Sequence, residues 1–306
     1  MTAAPEKREC AFVGPRAERE VRREIVRILP VTRLWAPLRA CVRLILGFLW
    51  ILLCYIGCTL GGVLDRVPVL KRLDLDRRVA RLWIRGMRAI IGMRLIQEGR
   101  VPKGPYFLVA NHICWTDFFA FLTLCDGTCV TQTEDQTFPL LGRLIKALDP
   151  IFVERTHDDI PRVNRLIGEA IARGENVLMA PEGVISPGRV VRRFRPALLE
   201  PAAQARKPVH YASVTCRTPE GCRPASKSVL FGPDPYFRTP DGRIPESELD
   251  AWGPERSFFL HLLGLFALPW FEVTIRFGSE PILGTERHAL AKGLQEGVQR
   301  IFSPVD

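Results

Sequence analysis

The sequence predicts an α/β fold: a mixed, largely parallel sheet covered by helices, preceded by an N-terminal helical segment suited to a membrane. Three observations lead there. From about residue 93 onward, short apolar runs alternate with stretches of helical periodicity, the pattern of strands with helices packed on their faces. Residues 44–64 carry no charged side chain over 21 positions. Residues 78–91 place arginines on one helical face and apolar side chains on the other. With 306 residues and 47% apolar composition, the chain is long enough for one core of roughly 200 residues and an appendage. The organisation read from it is a membrane-anchoring helical region over 1–92 and an α/β domain over 93–306, with a lid-like loop at 217–254.

The apolar run comes first. As a helix, 44–64 is about 31 Å long, against a hydrocarbon core of roughly 30 Å. Forty-three residues, many of them charged, precede it, which argues against a secretory signal. Arg33, Arg39 and Arg43 lie before it and Arg66 and Arg72 after it, so flanking charge gives no orientation. A span and a segment that enters and returns on one face both fit. An earlier helix is expected near 18–29. In the helix at 78–91, Arg78, Arg81, Arg85 and Arg88 share a face, while Val79, Trp83, Met87, Ile90 and Ile91 fall opposite. That suits a membrane interface; a core-packed helix with a solvated arginine face fits the same spacing.

The α/β region follows in order. Strands are expected at 93–98, 106–110, 129–131, 151–153, 176–180, 209–214 and 271–277. Helices are expected at 115–125, 138–148, 159–173, 197–206, 257–265 and 286–302. The Pro- and Gly-rich stretch 217–254 lacks periodicity and reads as a loop with one short strand at 228–231.

Charge and cysteine content narrow the function. The net charge is +10 and the pI about 9.4, which implies an anionic partner. No aromatic single-strand platform or DNA-reading motif accompanies the arginines, so nucleic acid is not expected. The nine cysteines show no C-x-x-C pair; this speaks against a zinc site and a disulfide framework, and for a reducing compartment.

Polar residues gather at the ends of three expected strands. Asn111-His112-Ile-Cys-Trp-Thr-Asp117 follows the strand at 106–110. Residues five apart are about 140° apart on a helix, so His112 and Asp117 meet only if the histidine sits in the turn and the aspartate in the first helical turn. Asp117 would then hold one ring nitrogen and leave the other as a base. Ile151-Phe-Val-Glu-Arg155 ends in a guanidinium fork suited to phosphate. Pro181-Glu182-Gly183 ends the strand at 176–180, with a glycine that lets a ligand approach the backbone. All three lie at the C-terminal edge of strands, where open α/β sheets bind ligands.

These clusters, in this order, resemble the glycerolipid acyltransferase family, typified by 1-acylglycerol-3-phosphate acyltransferase. Asn111-His112-(x4)-Asp117 is similar to its N-H-x4-D block, Ile151–Arg155 to its strand-plus-Arg block, Pro181-Glu182-Gly183 to its F-P-E-G block, and Lys207-Pro208-Val209 to the opening of its fourth. The resemblance covers roughly 93–302 and implies a glycerol-3-phosphate acyltransferase-like fold. It implies that His112 deprotonates the hydroxyl of a lysophospholipid, that Asp117 orients His112, and that no acyl-enzyme forms. It implies Arg155 on the acceptor phosphate, with Asn111, Pro181, Glu182 and Gly183 shaping the pocket; Arg193, with Arg189, Arg192 and Arg195, adds positive charge there or forms a solvated basic loop. No metal or cofactor is expected; acyl-CoA or acyl-carrier protein is the co-substrate, the bilayer is a partner, and the site faces the cytoplasm.

Four departures bear on the acceptor. Ala180 stands where Phe is usual, Val184 where Thr is common, Asp149-Pro150 precedes the second block, and Cys114 takes a place often held by Ser. They leave room for another lysolipid, such as a lyso-amino-acid lipid. Two rival classes remain at this point: a thioesterase or lipid hydrolase using Cys114 as nucleophile, and a non-catalytic membrane-binding protein. No G-x-S-x-G elbow is present for a serine version.

Overall fold

The computed structural model describes residues 35–67, 73–154, 156–231 and 257–305. The helix expected near 18–29, Arg155, and residues 232–254 of the expected lid lie outside them.

Helix α1 (Trp35–Leu64) is longer than the uncharged run that announced it. It begins earlier because Arg39 and Arg43 are satisfied: Arg39 donates to the Ala267 carbonyl (2.8 Å), and Arg43 donates to the carbonyls of Leu268 (2.6 Å) and Pro269 (2.9 Å). At 30 residues it is long and apolar enough to cross a bilayer, and only 22% of its most apolar window is buried. The buried positions are small: Ala36, Ala40, Gly47, Cys54, Cys58 and Gly61. Against them lies α2 (Leu75–Ile90), running antiparallel, so that Gly47 faces Met87 and Gly61 faces Asp76. A Cβ on Gly61 would sit 2.9 Å from the Asp76 backbone nitrogen. Gly61→Val is therefore expected to cost about 1–3 kcal/mol through overpacking, measured as a lower thermal midpoint in detergent. On α2 the expected division holds: Trp83 and Met87 are buried, and Arg78 and Arg85 are exposed.

Gly92, at φ +76°, turns the chain out of α2 into the sheet, and the Arg43 guanidinium occupies the space a side chain would take. The strands are β1 (Met93–Glu98), β2 (Phe107–Ala110), β3 (Thr128–Gln132), β4 (Ile151–Val153), β5 (Val177–Met179), β6 (Val209–Arg217) and β7 (Phe271–Phe277). Their order is β1-β7-β6-β2-β5-β3-β4. Every neighbouring pair is parallel except β6–β7. Parallel strands covered on both faces read as unbroken apolar runs, and β2, Phe-Leu-Val-Ala, is buried throughout. Strand β6 outruns its expected end at residue 214 because it pairs with β7 from Ala212↔Phe277 to Arg217↔Glu272, a partner distant in sequence.

The remaining helices are α3 (Asp117–Leu124), α4 (Leu141–Lys146), α5 (Ile160–Ala172), α6 (Glu200–Gln204), α7 (Ala225–Ser228), α8 (Phe258–Ala267) and α9 (Arg287–Ile301). The strand expected at 228–231 is not formed. Ala225, Val229 and Leu230 are buried at helical spacing, and the Ser228 hydroxyl donates back to the Pro224 carbonyl at 2.7 Å, which closes a helical turn instead. Two apolar layers flank the sheet. One contains Ile113, Phe119, Ala212 and Phe271 together with Trp83 and Met87 of α2. The other packs α5 and α9 through Val163, Ile167, Leu290 and Leu294. The N-terminal helices thus share a core with the sheet.

Candidate active site at the β2 and β5 strand ends

The turn after β2 has the arrangement that five-residue spacing requires. Residues 111–114 are non-helical, and α3 begins at Asp117. His112 Nδ1 lies 2.9 Å from Asp117 Oδ2. The same Oδ2 accepts the backbone N–H groups of Ile113 (2.8 Å) and Cys114 (3.0 Å). It is therefore an acceptor, so the imidazole donates from Nδ1 and its Nε2 lone pair is left as a base. Asp117 is almost fully buried and His112 is about a quarter exposed, with side-chain exposures of 5% and 26%. The pair is thus shielded at its carboxylate and open at its imidazole.

Asn111 explains why the turn stays there. Its amide donates to the Val214 carbonyl (2.9 Å) and accepts the Val214 N–H (2.8 Å). The side chain continues the β2–β6 ladder by one step where the main chain leaves it. Expected among the substrate-binding residues, Asn111 has both amide groups occupied by β6 and holds His112 in place.

The third cluster meets the first because β5 lies beside β2. The Ser186 N–H donates to the His112 carbonyl at 2.7 Å. Gly183 takes φ +71°, and the Arg195 side chain lies over it in the space a Cβ would contact at 3.3 Å. The Arg195 N–H donates to the Pro181 carbonyl (2.8 Å) and the Arg192 N–H to Glu182 Oε1 (3.3 Å). This strap brings the basic loop to the site: Arg189, Arg193 and Arg195 are exposed and Arg192 half-buried. Glu182 is 2% exposed. Burial pushes its carboxyl up to about 8, and the nearby N–H groups of Arg192 and His112 offset that only in part. A carboxyl in that state is protonated at neutral pH.

The second cluster is set apart. Strand β4 is at the sheet edge, three places from β2, which is roughly 14 Å at ordinary strand spacing. Its following turn is closed by Asp159, which accepts the Glu154 N–H (2.7 Å) and a guanidinium fork from Arg162 (2.6 and 2.9 Å). Sequence reasoning missed Ser186, Val214 and Asp159. Ser186 and Val214 act through the backbone and Asp159 through a carboxylate that closes a local turn, and a lone Ser, Val or Asp carries no motif.

Cys114 is fully buried, and its thiol donates to the Val229 carbonyl at 3.0 Å. Burial raises the thiol to about 12, so a thiolate nucleophile is suppressed. Cys114→Ser is expected to retain activity within a few-fold, and Cys114→Ala to lose about 1 kcal/mol of stability; steady-state rates and thermal midpoints measure both. The described cysteines are all free thiols. Among the described residues, Asp65, Asp74 and Asp76 bring carboxylate oxygens within 4.8 Å of one another. Asp65 is turned onto the N–H groups of Leu75 and Asp76, and Arg143 pairs with Asp76, so they act as a link between α1 and α2.

The family model described as Acyltransferase matches residues 92–217. The lyso-ornithine lipid O-acyltransferase of Pseudomonas aeruginosa is 29% identical over 153 residues, 50% of this chain and 59% of that protein. The protein of the same name from Rhizobium meliloti is 29% identical over 225 residues, 72% of each chain. The 1-acyl-sn-glycerol-3-phosphate acyltransferase of Neisseria meningitidis is 30% identical over 124 residues, 40% of this chain and 49% of that one. The chain thus spans about half the length of the first and third of these relatives. The crystal structure of PlsC, the 1-acyl-sn-glycerophosphate acyltransferase of Thermotoga maritima, superposes with a TM-score of 0.53 at 17% identity, covering 86% of this chain and 97% of that one; the fold is shared. The turn built around His112 and Asp117 and the P-E-G strap beside it both lie within residues 92–217, the stretch that matches the Acyltransferase family model.

Proposed function

We propose that the chain is a membrane-associated O-acyltransferase. It moves a fatty acyl group from acyl-CoA or acyl-carrier protein to the free hydroxyl of a lysophospholipid, with 1-acylglycerol-3-phosphate as acceptor and phosphatidate as product. The observation that carries this reading is the His112–Asp117 pair, 2.9 Å apart, with the imidazole open on its Nε2 side.

Nε2 of His112 takes the proton of the acceptor hydroxyl as its oxygen attacks the thioester carbonyl. Asp117 stabilises the imidazolium that results. The carbon–sulfur bond breaks, and the leaving thiolate takes up the proton held by His112. The arginines carried over Gly183 offer charge for an anionic head group. Arg155, which lies outside the described residues, is assigned to the acceptor phosphate on its motif alone. The thioester donors and the free cysteines favour a cytoplasmic site.

The helical packing supports an in-plane seat for α1. The α/β domain grips α1 near its start, through Arg39 and Arg43, and near its end, where Arg143 donates to the Cys58 carbonyl at 2.9 Å. Arg43 and Cys58 are roughly 22 Å apart along the helix. A helix held at both places lies along the domain, with Ile45, Phe48, Leu49 and Leu53 exposed to one leaflet.

A second acceptor is favoured by a specific observation. The relative aligned over 225 residues is named for lyso-ornithine lipid, an acceptor built on an amino acid. Purified protein in detergent, given labelled acyl-CoA or acyl-carrier protein and a panel of lysolipids, separates these outcomes. Transfer to lysophosphatidate upholds the first reading. Transfer only to lyso-ornithine lipid replaces the acceptor and keeps the chemistry. Release of free fatty acid alone, or no turnover by folded protein, counts against acyl transfer.

A further inference from the structure

Helix α8 joins the membrane helix to the catalytic turn. Of its ten residues, Phe258–Ala267, only His261 is polar, and it is buried. At its C-terminal end the carbonyls of Phe266 and Ala267, with those of Leu268 and Pro269 just beyond, accept the guanidinium groups of Arg43 and Arg39 from α1. Toward its N-terminal end, about 15 Å away, it meets the His112 turn: the Trp115 indole N–H donates to His261 Nε2 at 3.0 Å, and the Trp115 and Phe258 rings pack edge to face at 6.0 Å. Trp115 is three residues beyond His112. At this end Phe258 and Phe259 are 48% and 59% exposed.

Single exposed apolar side chains are ordinary. Here two neighbouring phenylalanines begin a helix whose other end is clamped to the start of α1, where Trp35, Leu38 and Val42 are also exposed, and exposed apolar side chains grouped in this way mark an interaction surface. We infer that Phe258 and Phe259 form a second bilayer contact, so that α1 and α8 enter the same leaflet and the lipid surface lies beside the His112 turn. The occupant is the acyl region of a phospholipid leaflet, argued from continuity with the exposed face of α1. Phe and Leu side chains of a helix lying on a membrane bury themselves at the boundary between headgroups and acyl chains. The Trp115–His261 bond would then hold the catalytic turn at the edge of the membrane, where the hydroxyl of a lysolipid is presented while its acyl chain stays in the leaflet. This inference rests on the membrane-associated reading proposed above.

Site-specific photocrosslinking tests it. p-Benzoylphenylalanine is placed at position 259, and separately at Phe48 of α1, in the full chain bound to vesicles of phosphatidylglycerol and phosphatidylethanolamine. Phospholipid adducts at both positions are expected. Lipid adducts at position 48 with none at 259, or crosslinks from 259 to residues 232–256, overturn the inference and leave the membrane reading standing. Absence of lipid adducts at both positions overturns both. Phe259→Glu gives an independent reading: vesicle partitioning is expected to fall about tenfold with an unchanged thermal midpoint, and unchanged partitioning contradicts the second contact.

Discussion

His112→Ala is expected to lower the rate of acyl transfer by about 10²–10⁴-fold and to leave the protein folded. The two halves of that expectation have separate causes. The imidazole supplies the only ring base in the turn, because its Nδ1 is committed to Asp117. Its removal leaves Asp117 Oδ2 still accepting from Ile113 and Cys114, so the turn keeps two of its three bonds. A partly exposed side chain with one such bond contributes about 1 kcal/mol. Single-turnover rates with a fixed donor, beside a thermal melt, read both quantities. Asp117→Asn should be slow for a different reason. One oxygen, Oδ2, receives the ring and both backbone N–H groups, so a neutral amide oxygen in its place keeps those bonds and loses the charge that stabilises the imidazolium. Activity within threefold of wild type in either variant would remove the pair from the chemistry.

The second large effect is on stability against pH. Glu182 is held at about 8 in the fold, against an ordinary 4.5, chiefly by burial. The native state therefore keeps a proton that the unfolded chain has released. The contribution of that proton is fully present below pH 4.5 and is lost as pH rises through about 8. The difference corresponds to roughly 5 kcal/mol across the interval. Glu182→Gln cannot ionise and should flatten the profile. Its melting midpoint is expected to exceed that of the wild type by several degrees at pH 9, with the gap closing toward pH 5. Parallel profiles for the two proteins from pH 5 to 9 would show that Glu182 is ionised in the fold.

Which features were legible in the sequence follows from how local their causes are. Strands β1, β4 and β7 begin and end where apolar alternation says they do, because each is bounded by turn residues nearby in the chain. The amphipathic division of α2 was likewise written in its three-and-four spacing. The meeting of His112 and Asp117 was readable as a condition, one residue in the turn and the other in the first helical turn, and only the observed turn satisfied it. The start of α1 was misjudged because two arginines inside an apolar helix look like flanks until Ala267, Leu268 and Pro269 are known to receive them. The end of β6 and the turn at 225–228 were likewise decided by distant partners.

By itself, then, the sequence determined the α/β class, the order of its elements, the apolar and basic character of its first two helices, and the residues at the strand ends where chemistry is possible. Those properties depend on side-chain type and on spacings of a few residues. Only the tertiary structure decided that β5 lies beside β2, bringing the Glu182 strap onto the His112 turn while β4 sits at the edge. It also decided that Asn111 is bonded to Val214, that Cys114 is sealed beneath Val229, and that α1 lies along the domain. Each of these is a contact between segments far apart in sequence. Its energy comes from burial and from satisfying backbone groups in the folded state, so no local pattern in the chain records it.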